Sequence, residues 1–408
     1  MKDFIDDDEF PRSLLNKSLD ERYKYFQEYS VAHPALENSF NKLRQTILFP
    51  SGKQLVFIIG PPGVGKTFLQ KWTEDEIKSY WAPQQHLDPG RIPVAGIEVP
   101  SKDKIKPTAG DIYLRLLRSL EEPLIDKKII YGDVTLYHTG DNQMKIPPRT
   151  KVENLRYALE KCCLHRKPFF LSFDEAQHLA NLAGLTFEEV IDWIKSLANM
   201  CKVLFCLFGT YEMYDLLDLS DQTTRRSKII HLRRYNTTDD DLTDFNRTIL
   251  SFQRNLPFEK QFDLLSHSDY LYERTAGCVG NLYDWLLTAV NIALYDSKAD
   301  SLEYRHLRAC VPFTALQATK MNDSISKDEE SYLKTIGEDD PELEDRDNEN
   351  NGQQLTKNSQ QNHSISDISH SSNNKNSPIK SNQKKRKSPV GKRNPMRDPT
   401  GTNHRNSA

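Results

Sequence analysis

Five short apolar runs alternate with longer amphipathic segments in the middle of the chain. The runs are continuously apolar, which is typical of parallel strands that are covered on both faces. Strands that alternate with helices predict an α/β core built on a parallel sheet. The runs are LVFIIG (Leu55–Gly60), IPVAGIEV (Ile92–Val99), FFLSF (Phe169–Phe173), VLFCLF (Val203–Phe208) and KIIHL (Lys228–Leu232), and the clearest helical segments are Lys66–Tyr80, Ala109–Leu120 and Phe187–Met200.

The segments on either side of this core predict further helices and an unstructured tail. Residues 19–47 have helical spacing that is interrupted at His33–Pro34, and residues 237–316 contain helical patterns without a convincing strand. After Met321 the chain is polar, so it cannot bury enough apolar surface to offset its conformational entropy. We therefore predict an N-terminal helical segment (1–54), a core (55–234), a helical subdomain or lid (235–320) and a disordered tail (321–408).

Charge is distributed unevenly although the 408 residues carry a formal net charge of only −3. Eleven acidic residues lie between Asp328 and Glu349, and nine basic residues with one acidic residue lie between Lys380 and Arg405. One interpretation of this tail is a solubilising tether. The alternative is a docking motif for a protein partner, or a basic arm for DNA.

Several classes of protein are excluded by composition. No apolar run approaches the roughly 18 residues of a membrane span, and the acidic N-terminus does not resemble a signal peptide. The six cysteines are scattered without a CxxC pair, which argues against a zinc site and a disulfide framework. This usage fits a reducing cytoplasm.

The motif GPPGVGKT, Gly60–Thr67, matches the phosphate-binding pattern G-x-x-x-x-G-K-[ST] in full. It follows a predicted strand and precedes a predicted helix, so backbone N–H groups and the helix N-terminus would face an anion. Lys66 would reach the β- and γ-phosphates of ATP, and the Thr67 hydroxyl would ligate Mg²⁺. The residues predicted to contact ATP are Gly60, Pro61, Pro62, Gly63, Val64, Gly65, Lys66, Thr67 and Phe68.

Candidate catalytic residues follow three other predicted strands. The strand FFLSF ends in Asp174 and Glu175, of which the first is expected to support Mg²⁺ and the second to act as the general base. Thr210, at the tip of the next strand, is the candidate sensor of the γ-phosphate. Arg225 and Arg226 precede the fifth strand, and either could point into the ATP site of a neighbouring subunit.

The chain resembles the TnsC/TniB group, the AAA+ ATPase regulators of Tn-seven-like transposons and related CRISPR-associated elements. The resemblance covers about residues 18–316 and rests on GPPGVGKT, FDEAQHL, DWIKSLAN, FGTYEMYDLLDLS, RRSKIIHLRRY and SFQRNLPF. It implies an AAA+ core, with a five-stranded parallel sheet between helices, and a small helical lid. It also implies Mg²⁺-dependent ATP hydrolysis, which we expect to be slow because Gly280 stands near the position of the second sensor arginine.

The resemblance further implies partners. Members of the group form rings or filaments around duplex DNA in the ATP state, and hydrolysis is expected to drive their disassembly. They link a target selector of the TniQ/TnsD kind, or a CRISPR effector, to a TnsB-like transposase, and a TnsA-like endonuclease is a further candidate partner. Carried over by motif, Lys66 and Thr67 bind ATP and Mg²⁺, Asp174 supports Mg²⁺, Glu175 drives hydrolysis and Thr210 takes the first sensor position.

The loop after the second predicted strand is the candidate DNA-binding segment, because the DNA-facing loops of the group lie in that part of the core. Lys102, Lys104, Lys106 and Thr108 would hold phosphate oxygens, and a solvated surface loop is the alternative. One departure from related lids is Gly280, which stands near the position where initiator-type lids carry an arginine. Residues 126–149 are interpreted as an insertion or a lid over the site.

Three alternative functions remain at the level of sequence. A replication-initiator-like loader should carry a winged helix after the lid, and a secretion helper ATPase should carry a membrane span, and neither is visible. A non-enzymatic scaffold that binds ATP is the third alternative, against which Glu175 argues. For the transposition regulator we expect a location in the bacterial cytoplasm, on the nucleoid when bound to DNA, without membrane contact.

Overall fold

Five strands form one parallel sheet at the centre of the chain. Their order across the sheet is β2-β3-β4-β1-β5, and each neighbouring pair is parallel. The strands are β1 (Leu55–Ile59), β2 (Val94–Glu98), β3 (Phe170–Asp174), β4 (Leu204–Gly209) and β5 (Ser227–His231). The predicted strands and the predicted α/β fold class are thus confirmed.

The computed structural model describes residues 9–31, 33–101, 106–123, 125, 151–213 and 226–336. These residues belong to one compact unit that spans residues 1–339. The described helices include none that is long and apolar enough to cross a membrane. Lys102, Lys104, Arg225, residues 126–149 and the predicted tail after residue 336 lie outside the described residues.

Helices cover both faces of the sheet, and the helices between residues 239 and 309 pack around a separate apolar cluster, which we call the lid. The helices are α1 (Leu19–Glu28), α2 (Pro34–Leu48), α3 (Lys66–Trp81), α4 (Ala109–Ser119), α5 (Lys151–Arg166), α6 (Phe187–Cys201), α7 (Asp239–Arg254), α8 (Ser268–Thr275), α9 (Val279–Tyr295), α10 (Tyr304–Ala309) and α11 (Ala315–Ile336). Short 3₁₀ turns include Ala176–Asn181 and Tyr211–Met213.

The alternation of side chains along each strand divides the core into two layers. Leu55, Phe57 and Ile59 of β1 pack in the cluster that includes residues of α4, α5 and α6. Val56 and Ile58 point to the other face and pack with residues of α2 and α3. Because both faces are covered, every residue of β1, β3 and β4 is buried, which explains the continuous apolar runs.

Local sequence signals fix where several helices begin. Ser18, Thr108 and Thr186 each form a capping box with the acidic residue three positions later, at the starts of α1, α4 and α6. Pro34 occupies the first turn of α2, where its missing N–H costs no helical hydrogen bond. The predicted interruption at His33–Pro34 is therefore the boundary between α1 and α2.

The predicted N-terminal segment 1–54 divides between two cores. Phe26 of α1 is fully buried and packs against Phe252 of α7, in the apolar cluster of the lid. Leu36 and Leu43 of α2 instead pack against the sheet. Local spacing does not predict this division, because the partner of α1 lies more than 200 positions away in the chain.

The predicted start of the disordered tail at residue 321 is wrong for residues 321–336, which belong to α11. Ala318, Ile325 and Tyr332 are buried at intervals of seven residues, so one stripe of this helix packs against the rest of the protein. The few apolar residues of the segment are sufficient because they share one face, and an ion pair between Arg234 and Glu329 supports them.

Candidate functional site

The carboxyl ends of β1, β3 and β4 meet at one edge of the sheet, beside a cavity of about 440 Å³. That volume is in the range of small-molecule sites. Many of the predicted site residues line the cavity: Pro62, Gly63, Val64, Gly65, Lys66, Thr67, Phe68, Glu175 and Thr210. The structure thus brings together candidates from three separate strand ends.

The loop between β1 and α3 depends on glycine at specific positions. Gly63 and Gly65 have φ of +75° and +109°, a region that residues with a Cβ atom rarely adopt. At Gly60 a Cβ atom would lie 2.2 Å from the backbone oxygen of Leu232, which follows β5. The backbone can therefore turn tightly here and direct N–H groups towards an anion.

Lys66 places a buried ammonium group against this loop. Its side chain is 7% exposed, and Nζ donates hydrogen bonds to the backbone oxygens of Gly60 at 2.9 Å and Pro61 at 2.8 Å. Burial lowers the pKa of Lys66 to about 8, against the opposing effect of acidic groups that include Glu175 and Asp174. A cation held only by neutral carbonyls is suited to receive an anionic ligand.

Thr67 and Asp174 fit a site for Mg²⁺. Thr67 lines the cavity, and its hydroxyl donates a hydrogen bond of 2.8 Å to Oδ2 of Asp174, which does not itself line it. Two candidate oxygen ligands therefore lie side by side. Mg²⁺ commonly takes one or two protein oxygens and completes its shell with substrate phosphates and water. Among the described residues no group of three or more His, Cys, Asp or Glu side chains could hold a metal without such help.

Glu175 and Thr210 face the same cavity from neighbouring strands. Glu175 has φ of +52°, and its N–H donates to Oδ1 of Asp174 at 3.0 Å. The hydroxyl of Thr210 is buried and has no hydrogen-bond partner within the described part of the chain. The carboxylate of Glu175 and the hydroxyl of Thr210 therefore border the same cavity as the phosphate loop.

The other residues that line the cavity were not predicted as site residues from the sequence. Most of them come from the connection between α1 and α2, from α7 and from α9, and they include Tyr29, Val31, His33, Phe252, Val279 and Tyr283. A largely apolar end and a cationic end suit a ligand with a flat base and a phosphate chain. No local motif identifies this wall, because its residues come from two groups, 29–33 and 252–283, that are more than 200 positions apart.

Contact between the lid and the phosphate loop explains the glycine at position 280. The N–H of Asn281 donates to the backbone oxygen of Gly63 at 3.0 Å, and a Cβ atom on Gly280 would lie 2.5 Å from that oxygen. An arginine cannot occupy position 280 in this arrangement. Arg274 lies over the ring of Tyr270 and donates to the backbone oxygen of Phe313 at 3.5 Å, and it does not line the cavity.

Arg226 lies at the other end of the sheet from the phosphate loop. It is exposed, and its backbone oxygen accepts the N–H of Gln54 at 2.9 Å, just before β1. The five residues of β1 span about 17 Å at about 3.3 Å per residue, which is beyond the reach of an arginine side chain. Arg226 is therefore separate from the ATP-facing group of its own subunit.

The described part of the candidate DNA loop contains Lys106 and Thr108. Lys106 is exposed. The Thr108 hydroxyl accepts the N–H of Asp111 at 3.2 Å and donates to its carboxylate at 2.8 Å, so this side chain caps α4. Thr108 is exposed, but its hydroxyl is hydrogen-bonded to Asp111.

Comparison with known proteins identifies the fold. The family model described as an AAA domain matches residues 47–217. The chain has the α/β AAA+ fold. Residues 47–217 contain the phosphate loop, Asp174, Glu175 and Thr210, so the cavity lies at the nucleotide end of this domain.

Three solved structures to which the chain is similar are distant in sequence. The ORC2 protein of Aeropyrum pernix, in ADPNP-ADP complexes, is 14% identical with a TM-score of 0.45, and the match covers 71% of each chain. The ORC1 protein of Aeropyrum pernix, in complex with DNA, is 13% identical with a TM-score of 0.43, and covers 71% of this chain and 68% of its own. A Walker-type ATPase of Pyrococcus abyssi is 13% identical with a TM-score of 0.41, and covers 74% of this chain and 76% of its own. No curated protein gave a match.

Proposed function

We propose that this protein is an ATP-dependent regulator of DNA transposition, which assembles on duplex DNA in the ATP state and links a target-selection protein to the transposase. The observation that carries the ATPase part is the convergence of the phosphate loop, Glu175 and Thr210 on one cavity, with Asp174 hydrogen-bonded to Thr67 of that loop. The resemblance to the TnsC/TniB group supports the transposition part. The motifs of this chain that resemble the group include the phosphate loop and the strand ends beside this cavity.

In the proposed reaction, ATP and water give ADP and phosphate. Lys66 leaves its carbonyl partners to contact the β- and γ-phosphates, and Glu175 accepts a proton from the attacking water. The water oxygen forms a bond to the γ-phosphorus as the bond to the leaving ADP oxygen breaks. The Thr210 hydroxyl donates to a γ-phosphate oxygen. Mg²⁺ held beside Thr67 and Asp174 would neutralise phosphate charge.

The proposed assembly has ATP at the boundary between subunits. Arg226, or its neighbour Arg225, would contact the γ-phosphate of the adjacent subunit, since Arg226 cannot reach the phosphate loop of its own chain. Exposed Lys106, together with Lys102 and Lys104, would contact DNA phosphates without reading sequence. Hydrolysis by Glu175 would then end the contact between subunits and release the assembly.

Electron microscopy and a gel shift on random-sequence duplex DNA test this proposal. Samples without nucleotide, with ATP and with a non-hydrolysable analogue are compared, and Lys66→Met and Glu175→Gln serve as variants. We expect rings or filaments that require nucleotide, are absent in Lys66→Met and persist longer in Glu175→Gln. ATP hydrolysis without any DNA-dependent assembly would contradict the transposition role and favour a replication-initiator-like or secretion-type ATPase.

A further inference from the structure

We propose that Gln177 is a positioning residue, which fixes the separation between Glu175 and Thr210 and thereby sets the rate of hydrolysis. This inference rests on the proposed ATPase activity. Gln177 does not line the cavity, whereas both of its partners do. It can therefore act on hydrolysis only through the residues that it holds.

Both ends of the Gln177 amide are used. Its side chain is 7% exposed, and Nε2 donates a hydrogen bond to Oε2 of Glu175. Oε1 accepts the backbone N–H of Thr210 at 3.3 Å. One rigid amide thus connects the candidate base on β3 to the candidate sensor on β4.

The local backbone directs Gln177 into this position. Glu175 has φ of +52° and precedes the 3₁₀ turn Ala176–Asn181, so the chain reverses direction immediately after β3. Across the contact, a Cβ atom at Gly209 would lie 2.6 Å from Oε1 of Gln177 and 2.1 Å from the sulfur of Met213. Glycine at position 209 leaves the space that the amide needs.

The chemistry requires a side chain that both donates and accepts. A carboxylate at position 177 would retain the acceptor for Thr210 but would repel the carboxylate of Glu175. An apolar side chain of the same size would leave the buried N–H of Thr210 unpaired and Glu175 free to rotate. A general base must lie within hydrogen-bond reach of its water, and a displacement of about 1 Å can lower a rate by about 100-fold.

Three variants separate these contributions. Gln177→Leu removes both hydrogen bonds, Gln177→Glu retains only the acceptor, and His178→Gln is the control on the same turn, since His178 does not line the cavity. For each variant we would measure ATP affinity at equilibrium, kcat and KM, and the hydrogen exchange of the peptide that contains Thr210. The free energy of unfolding is measured alongside.

We expect Gln177→Leu to lower kcat by about 100-fold, with ATP affinity within about threefold of the wild type, and to accelerate exchange at Thr210. Gln177→Glu should lower kcat and leave exchange at Thr210 slow. His178→Gln should match the wild type in both measurements.

Unchanged kcat in Gln177→Leu would overturn the inference. Parallel losses of kcat, ATP affinity and unfolding free energy would also overturn it, because they would indicate a purely structural role. A wild-type chain that binds ATP without hydrolysing it would instead contradict the proposed function itself, and the exchange rate at Thr210 would still show whether the amide contact exists. The two failures are therefore distinguishable.

Discussion

Two buried cations in this molecule have different partners. Lys66, 7% exposed, is held by the neutral backbone oxygens of Gly60 and Pro61. Arg234, 4% exposed, donates from Nε to both carboxylate oxygens of Glu329, at 3.2 and 3.1 Å. Its other nitrogens donate to Ser326 at 2.8 Å, to Asn322 at 2.6 Å and to the backbone oxygen of Ala276.

The difference separates a charge kept for a ligand from a charge used in the fold. Burial of a cation is unfavourable unless an anion or several hydrogen bonds compensate it. At Arg234 the compensation comes from Glu329 on α11, so the pair attaches this helix to the segment between β5 and the lid. At Lys66 the hydrogen-bond acceptors are backbone carbonyls, and Glu175 and Asp174 act on its pKa through their charge. In the proposed function this ammonium group is kept for the phosphate chain of ATP.

The largest expected effect is at the ion pair. Arg234→Met leaves Glu329, which is 13% exposed, without its ion-pair partner, and we expect the free energy of unfolding to fall by about 3 kcal/mol. Urea unfolding followed by circular dichroism measures this change.

The double variant Arg234→Met with Glu329→Leu is the matched control. It removes both charges and replaces them with apolar groups of similar size, so it should recover most of the lost free energy. Equal losses in the single and double variants would show that the charge pairing does not hold α11 in place.

A second prediction concerns the contact between the lid and the phosphate loop. In Gly280→Ala the added methyl group would overlap the backbone oxygen of Gly63, and α9 must shift away from the loop. We expect a loss of up to about 3 kcal/mol in unfolding free energy and about tenfold weaker ATP binding, measured by calorimetry.

Gly90→Ala is a suitable control for that variant, since a Cβ atom there meets only Asp88, at 3.8 Å. It should leave both quantities unchanged. ATP binding of normal strength in Gly280→Ala would mean that the lid contact has no role in forming the nucleotide cavity.

How much could be predicted from the sequence differs between the two cations. The position of Lys66 beside a cavity was predictable, because the motif, the strand before it and the helix after it are contiguous. The role of Arg234 was not, since Asn322, Ser326 and Glu329 lie about 90 residues later. Within the acidic run that begins at Asp328, the paired Glu329 cannot be distinguished from its solvated neighbours without the fold.

The same limit applies around the cavity. Asp174 and Glu175 were identified from the end of an apolar strand, and Thr210 from the next strand tip. The apolar wall with Tyr29 and Phe252 was missed, because packing of α1 against the lid is decided by tertiary contacts. Gln177 was visible in FDEAQHL, but only the structure shows that its amide connects two strands.

The smallest of the expected effects is a dependence of stability on pH at His33. Burial, with a contribution from Arg233, lowers the pKa of His33 to about 3, and Nδ1 lies 3.0 Å from the Tyr235 hydroxyl. The pKa of His33 in the unfolded chain is near 6.5. As pH falls below that value, His33 becomes protonated in the unfolded chain but stays neutral in the folded chain.

The His33 contribution is therefore fully present above pH 6.5 and is lost progressively towards pH 3. Between pH 6.5 and 5 it amounts to about 2 kcal/mol of unfolding free energy. Urea unfolding at both pH values measures this loss. From pH 6.5 to 5 the unfolding free energy of the wild type should fall by that amount relative to that of His33→Gln. A constant difference would mean that folding does not lower the pKa of His33.

The unfolding free energy of the wild type and of Lys66→Met, each with and without Mg²⁺ and ATP, tests the central claim most directly. If Lys66 is kept for a ligand, the variant is at least as stable as the wild type without ATP, because an uncompensated buried charge has been removed. At ATP about 100-fold above its Kd the wild type should gain about 2.7 kcal/mol, and Lys66→Met should gain almost nothing. A variant that is several kcal/mol less stable without ATP, or that gains as much as the wild type with it, would contradict the account.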